Sequence, residues 1–190
     1  MMRIITGSAK GIRLKTLEGD ATRPTAERVK EAVFSMLQMD IEGRDVLDLF
    51  SGSGQMALEA LSRGARSAVL LDRSPAAIAV ISENATKTRL SDRCTIRRSD
   101  YLDYIRQNKG KTFDIIFLDP PYDSGFYKIA LRALVDNDML KSTSYIVCES
   151  GEDTIFDGDE TLSDMFCVVK QSKYSRTYIT ILSLKEEADE

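Results

Sequence analysis

Four consecutive residues, Asp119, Pro120, Pro121 and Tyr122, place a carboxylate, main-chain carbonyls and an aromatic ring in one short segment. They follow the apolar run 113–118, which has the length and composition of a buried strand. Neither proline can donate to a sheet ladder, and each biases the preceding residue toward an extended conformation. We therefore expect the chain to leave the sheet here as a stiff loop. The simplest interpretation of the four residues is purely structural, a strand end followed by a Pro-Pro turn.

The same groups suit the exocyclic amine of a nucleobase. That nitrogen is a poor nucleophile because its lone pair is delocalised into the ring, and hydrogen bonds accepted from both of its hydrogens localise the pair. The Asp119 carboxylate and the Pro120 carbonyl can accept those bonds, so that alignment with a methyl donor supplies most of the rate. Asp119 or water then takes the proton. The base must be single-stranded or flipped out, with Tyr122 stacking on it.

A second motif follows another apolar run. Residues 52–57 fit the glycine fingerprint G-x-G-x-x-A, and Asp72 lies eighteen residues beyond Gly54, where it can bind both hydroxyls of a ribose. A dinucleotide would place its pyrophosphate on the helix N-terminus. S-adenosylmethionine instead carries a sulfonium and an ammonium, for which Asp48 supplies a nearby carboxylate. Asp100, followed by Tyr101, can bond the adenine, cap a helix, or do both.

These motifs fall between strands and helices that alternate along the chain. Such alternation predicts right-handed βαβ units, hence an α/β fold with a Rossmann-like parallel sheet closed by a C-terminal antiparallel hairpin. The carboxyl ends of parallel strands share one edge, where ligands bind. The predicted parallel strands are 45–50, 67–72, 93–98, 113–118 and 144–149, and the hairpin strands are 167–174 and 178–184.

The N-terminus predicts a small basic β-hairpin. Residues 3–7 and 11–15 are strand-like around a turn that has glycine at both ends. The first 30 residues hold seven basic and three acidic side chains, although the whole chain has a net charge of −4. A basic end on an acidic protein is a candidate contact surface for phosphate, although a solvated hairpin with ordinary surface lysines explains the charge almost as well.

Composition excludes several classes of protein. The chain of 190 residues has no histidine, which excludes Ser-His-Asp and Cys-His catalysis, and no metal site is expected. Its three cysteines form no C-x-x-C motif, which indicates reduced thiols. No signal-peptide pattern or run of 18 apolar residues is present, so we expect a cytoplasmic protein with no membrane partner. Nothing in the sequence demands a dimer, and we expect a monomer.

Together these segments resemble one family. Residues 48–54 and 119–122 look like a class I methyltransferase of the amino-group type. Residues 3–7, 22–25, 59–65 and the hairpin at 173–174 resemble the bacterial small-subunit (16S) rRNA guanine-N2 methyltransferases of the RsmD type. One departure is that Glu149 is followed by Ser150 where a Glu-His pair is expected.

The resemblance implies S-adenosylmethionine as cofactor and 16S rRNA, or an assembling small-subunit particle, as partner. It places Asp119, Pro120, Pro121 and Tyr122 at the target amine. It also implies an RNA-contacting basic extension of residues 1–20 on a methyltransferase domain of residues 21–190, with Arg3, Lys10, Arg13, Lys15 and Arg23 on RNA. The residues it implies at the cofactor are Asp48, Phe50, Ser51, Gly52, Gly54, Asp72, Arg73, Asp100 and Tyr101.

Other functions stay open at this point. Asp119 is compatible with an adenine-N6 methyltransferase acting on DNA or RNA, although the chain has no room for a separate DNA-reading domain. A nicotinamide oxidoreductase would use the same glycine turn but leaves Pro120 and Pro121 without a role. A non-catalytic RNA-binding assembly factor would not need Asp119.

Overall fold

A computed structural model describes residues 2–17, 24–37, 39–120, 125–156 and 158–185. Helices and strands alternate through most of this part of the chain, as the sequence predicts. The helices are α1 (Pro24–Met36), α2 (Gln55–Ser62), α3 (Pro75–Thr88), α4 (Tyr101–Gln107), α5 (Gly125–Asp136) and α6 (Glu160–Met165). The strands are β1 (Asp45–Asp48), β2 (Ser67–Asp72), β3 (Cys94–Arg98), β4 (Phe113–Leu118), β5 (Leu140–Ser150), β6 (Phe166–Tyr174) and β7 (Thr177–Leu184).

The strands form one seven-stranded sheet in the order β3-β2-β1-β4-β5-β7-β6. The first five are parallel, whereas β7 runs antiparallel to both β5 and β6. The predicted α/β fold, a parallel sheet closed by a C-terminal hairpin, is therefore confirmed. The order of connection reverses between the neighbours β1 and β4, which creates the crevice where such sheets bind ligands.

Apolar layers cover both faces of the sheet. One layer contains Phe34 of α1, Leu58 of α2 and Ile81 of α3, all fully buried. The other contains Leu131 of α5 and Leu162 of α6, also fully buried. All six residues of β4 are buried, as expected for a strand covered on both faces, so the segment that leads to Asp119 is held firmly at the centre of the fold.

The N-terminal segment differs from the predicted hairpin. Its two halves meet at a single antiparallel bridge between Arg3 and Arg13, with hydrogen bonds from Ile4 N to Ile12 O (3.0 Å) and from Leu14 N to Met2 O (3.0 Å). The two halves thus pair antiparallel, as predicted, but through a bridge rather than as two regular strands, because this segment takes most of its support from helices rather than from ladder pairing.

The buried carboxylate of Glu59 in α2 provides the first of those supports. It accepts hydrogen bonds from Ile5 N (2.7 Å) and Thr6 N (3.0 Å) and lies 3.5 Å from the buried ammonium of Lys30 in α1. The Lys30 ammonium also donates to Arg3 O at 2.5 Å. This charged cluster holds the N-terminal segment on α1 and α2.

The buried amide of Asn84 in α3 provides a second support. It accepts from Lys15 N (2.8 Å) and donates to both Lys15 O and Ser53 O (2.9 Å each). Ser53 belongs to the glycine loop, and its hydroxyl lies 3.1 Å from the sulfur of Met2. The N-terminal segment is thus connected directly to the loop that follows β1.

Several element boundaries also differ from the predictions. β1 ends at Asp48 rather than at residue 50, and β5 begins at Leu140 rather than at residue 144. Residues 160–165, predicted as part of an acidic loop, form α6, which Asp159 caps by accepting from Leu162 N at 2.9 Å. Among the described residues, no helix combines the length and apolar character needed to cross a membrane.

Candidate functional site

The carboxyl ends of the five parallel strands β1 to β5 border a cavity of about 430 Å³. That volume lies within the range of small-molecule sites. Its walls come from segments far apart in the chain, which the parallel sheet brings to one edge. The residues that line it are Leu49, Phe50, Gly52, Asp72, Arg73, Ser99, Asp100, Tyr101, Asp119, Pro120, Phe126 and Glu149.

The glycine loop between β1 and α2 is tightly folded. Gly54 N donates to Ser51 O at 2.6 Å, and Ser51 N donates to Leu71 O of β2 at 2.9 Å. Gly54 has φ +79°, and a Cβ there would lie 3.2 Å from the Leu70 side chain, so this position favours glycine on both counts. Gly52 has φ +54°, lines the cavity and has open space where a Cβ would stand, so a ligand can approach its main chain.

Asp72, at the end of β2, links the glycine loop to the next helix. Its Oδ2 accepts from Gly52 N at 3.0 Å, and its Oδ1 accepts from Ser74 N at 2.8 Å. Asp72 and the neighbouring Arg73 both line the cavity. The carboxylate is therefore fixed in place by two main-chain donors before any ligand enters, which is the preorganisation that a hydroxyl-binding group needs.

Asp48 is buried at the end of β1 and does not itself line the cavity. Burial raises the pKa of its carboxyl to about 7. Hydrogen bonds from Phe50 and Ala57 main-chain N–H groups and from the Ser51 hydroxyl oppose that rise, while the nearby Asp72 charge adds to it. These hydrogen bonds make Asp48 a buried support of the glycine loop, a role that its position in the sequence did not reveal.

An aromatic wall stands beside these carboxylates. The ring of Phe50 lies 5.0 Å from that of Tyr101 and 5.9 Å from that of Phe126, measured between centroids. Asp100 caps α4 by accepting from Leu102 N at 2.9 Å and also lines the cavity. Asp100 therefore lies both at a helix N-terminus and beside the cavity. A planar adenine fits between such rings and an acceptor.

The far end of the cavity is formed by the segment after β4. The Asp119 side chain is exposed there, whereas Pro120 behind it is buried, and both line the cavity. Glu149 of β5 lines the same end, and burial raises the pKa of its carboxyl. Pro121 and Tyr122 lie outside the described residues.

The predicted RNA-contacting residues lie elsewhere. Arg3, Lys10, Arg13 and Lys15 are all exposed on the N-terminal segment. Arg3 pairs with Glu27 at 2.8 Å, and Lys15 pairs with Glu83 at 2.5 Å, so two of these cations already have surface partners. Arg23 lies outside the described residues.

Four cavity residues were missing from the sequence-based prediction. Ser99 and Leu49 are neighbours of predicted site residues, and Glu149 ends a predicted strand, so the rule that ligands meet strand ends would have found them. Phe126 has no such signal, because it enters the cavity from the first turn of α5.

The polar groups that line the cavity fit S-adenosylmethionine better than a dinucleotide. Carboxylates at Asp72 and Asp100 suit ribose hydroxyls and an adenine amine, and the acidic surroundings of the glycine loop suit a cationic methionine moiety rather than a pyrophosphate. The fold and this cavity define a class I S-adenosylmethionine-dependent methyltransferase.

Comparison with known proteins identifies the family within that class. The family described as Conserved hypothetical protein 95 matches residues 2–183. A Bacillus subtilis (strain 168) protein named "Putative rRNA methyltransferase YlbH" is 35% identical over 182 residues, which cover 95% of this chain and 97% of that protein. The Escherichia coli (strain K12) Ribosomal RNA small subunit methyltransferase D is 34% identical over 149 residues, covering 78% of this chain and 74% of that protein.

A solved Escherichia coli structure, described as "Putative methyltransferase yhhF", has a TM-score of 0.85 at 27% identity and covers 98% of this chain and 99% of its own. The chain belongs to the Conserved hypothetical protein 95 family, together with the small-subunit rRNA methyltransferase D proteins.

Proposed function

We propose that this protein methylates the exocyclic N2 amine of a guanine in small-subunit (16S) rRNA, with S-adenosylmethionine as methyl donor. The observation that carries the proposal is the shared cavity, which Asp119 and Pro120 line together with Gly52 of the glycine loop and the carboxylates of Asp72 and Asp100. A cofactor site and an amine-accepting pair therefore open into one space. The small-subunit rRNA methyltransferase D relatives support rRNA as the substrate.

Each residue has a distinct task in this proposal. Asp72 holds the ribose hydroxyls, Asp100 and Tyr101 hold the adenine, and the loop formed by Phe50, Ser51, Gly52 and Gly54, with Asp48 beneath it, receives the methionine moiety. Arg73, beside Asp72, completes the ribose side of the site. When bound, S-adenosylmethionine supplies a methyl group on a sulfonium.

The protein acts on the target base through hydrogen-bond acceptors. The Asp119 carboxylate and the Pro120 carbonyl accept from the amine and direct its lone pair, Pro121 keeps the loop stiff, and Tyr122 stacks on the base. Asp119 is exposed and lines the cavity, so an incoming base can reach it without any movement of the sheet. Asp119 or water removes the proton from the methylated amine.

We further propose that residues 1–20 form an RNA-contacting extension and that residues 21–190 form the methyltransferase domain. Lys10 and Arg13 are exposed and would meet phosphates first, assisted by Arg3, Lys15 and Arg23. The protein would act as a cytoplasmic monomer on 16S rRNA or on an assembling small-subunit particle. Sedimentation analysis, and activity on particles compared with naked rRNA, test the monomer and the form of the substrate.

The test of the main proposal uses labelled S-adenosylmethionine with small subunits, naked rRNA and unmethylated DNA from a strain that lacks the gene. The product nucleoside is identified by mass spectrometry. We expect N2-methylguanosine in rRNA from the wild-type protein and from the control Asp103→Ala, which changes an exposed aspartate of α4. We expect its loss in Asp119→Ala. N6-methyladenine would contradict the guanine assignment, and no transfer with cofactor bound would contradict catalysis.

A further inference from the structure

Glu149 stands directly beside Asp119 at the carboxyl edge of the sheet. Leu118, the last residue of β4, pairs in register with Cys148 of β5, so Asp119, which follows β4, and Glu149 of β5 come directly after a pair of neighbouring residues. Adjacent strands lie about 4.8 Å apart, and residues in register point to the same face. Both residues line the same end of the cavity, together with Pro120.

The main chain of Glu149 is fixed from two sides. Glu149 pairs with Ile179 of the antiparallel strand β7, and its carbonyl accepts a hydrogen bond from the Tyr127 hydroxyl of α5. The side chain is only partly exposed. Burial of the Glu149 side chain raises the pKa of its carboxyl, because a desolvated carboxylate is costly.

Two neighbouring carboxylates suit guanine better than adenine as the target base. Guanine presents two adjacent donors on its Watson–Crick edge, the N1–H group and the N2 amine. Adenine presents its N6 amine beside N1, which is an acceptor. Resting on the proposed function, we infer that Glu149 accepts the N1–H of the target guanine while Asp119 and Pro120 accept from the N2 amine. Glu149 is then the residue that selects guanine. The N1 of adenine is an acceptor and would face the Glu149 carboxylate, another acceptor, with no hydrogen between them.

The experiment compares guanine with 2-aminopurine at the target position, once that position has been mapped. 2-Aminopurine keeps the N2 amine but lacks the N1 hydrogen. Each base is placed in a synthetic RNA segment, ligated into the rRNA and assembled with ribosomal proteins, and kcat/KM for methyl transfer is measured. For the wild-type protein we expect a preference for guanine of about 10- to 100-fold, the usual effect of one hydrogen bond to a charged group.

The matched variants are Glu149→Gln and Glu152→Gln. A glutamine at 149 can offer either its carbonyl to N1–H or its amide to a bare N1, so we expect the preference for guanine to fall below about fivefold. Glu152 is exposed in the following loop, and its substitution should leave the preference unchanged. Glu149→Ala, which has no hydrogen-bonding group, should lower transfer to guanine and flatten the preference as well.

The outcomes separate this inference from the proposed function. An unchanged preference in Glu149→Gln, with wild-type transfer to guanine intact, would overturn the inference alone. Weaker binding of S-adenosylhomocysteine by Glu149→Gln with the preference unchanged would likewise overturn it, and would assign Glu149 to the cofactor. Absence of any transfer to guanine by the wild-type protein would instead overturn the proposed function.

Discussion

Replacement of Glu59 by alanine should remove much of the stability of this protein. The carboxylate is fully buried and accepts from Ile5 N, Thr6 N and Arg63 Nε at 2.7, 3.0 and 2.8 Å, and it lies 3.5 Å from the buried Lys30 ammonium. Alanine leaves two main-chain donors and one buried cation without this acceptor. Breaking a buried pair by removing one partner costs about 3–5 kcal/mol.

The Lys30 ammonium limits that cost. It keeps its hydrogen bond to Arg3 O, and burial already lowers its pKa, so it can lose its proton when the carboxylate is gone. We therefore expect a loss of about 3–4 kcal/mol in the free energy of unfolding, out of the roughly 5–15 kcal/mol typical of a domain. Denaturant titration followed by circular dichroism measures it.

Two controls bracket this result. Glu83→Ala removes the partner of Lys15 from an exposed pair, in which both side chains are more than half exposed, and should cost less than about 1 kcal/mol. Lys30→Met combined with Glu59→Ala should cost less than the sum of the single changes, because it leaves no buried charge. A loss below about 1.5 kcal/mol for Glu59→Ala would refute the assignment of Glu59 as the anchor of the N-terminal segment.

Four further predictions concern the cofactor loop and the N-terminal segment. The pKa of Asp48 is raised to about 7, so its attraction for the ammonium group of the ligand's amino-acid moiety forms as pH rises through 7. S-adenosylhomocysteine, which carries that ammonium, should bind more tightly at pH 8 than at pH 6 by calorimetry, and Asp48→Asn should abolish the difference. The same raised pKa favours the folded state at low pH, and Asp48→Asn should lessen the decline in stability between pH 4 and 7. Gly7→Ala places a Cβ 1.8 Å from the Ser62 carbonyl oxygen at a φ of +85° and should release residues 2–17 from α2. Amide hydrogen exchange of residues 2–17 should then be faster than in the wild-type protein, and unchanged protection would contradict this contact. Lys10→Glu with Arg13→Glu should weaken rRNA binding at least tenfold in low salt while S-adenosylhomocysteine affinity stays the same, and an unaltered salt dependence would exclude this face from the interface.

The fold was largely predictable because its signals are local. Apolar runs such as 113–118, each followed by a glycine turn or prolines, fix strand ends, and parallel strands bring those ends to one edge. That reasoning placed Asp72, Asp100 and Asp119 together, and all three line the cavity. The start of β5 at Leu140 and the helix α6 were missed, since neither carries a strong periodic pattern.

The groups that hold the site were not predictable in the same way. Glu59 and Asn84 contact the N-terminal segment across 53 to 69 residues of sequence, and nothing in their neighbours marks them as buried. The burial of Asp48 and the side-by-side position of Asp119 and Glu149 likewise depend on strand register, which only the assembled sheet defines.

The most direct test of the central claim separates chemistry from cofactor binding at Asp119. Single-turnover methyl transfer to small subunits is measured for the wild-type protein and for Asp119→Ala, alongside the Kd for S-adenosylhomocysteine. We expect the rate of Asp119→Ala to be lowered by on the order of 100-fold or more, with a Kd within about threefold of wild type, because Asp119 acts on the amine. A rate within tenfold of wild type, or a Kd that weakens in parallel with the rate, would contradict it.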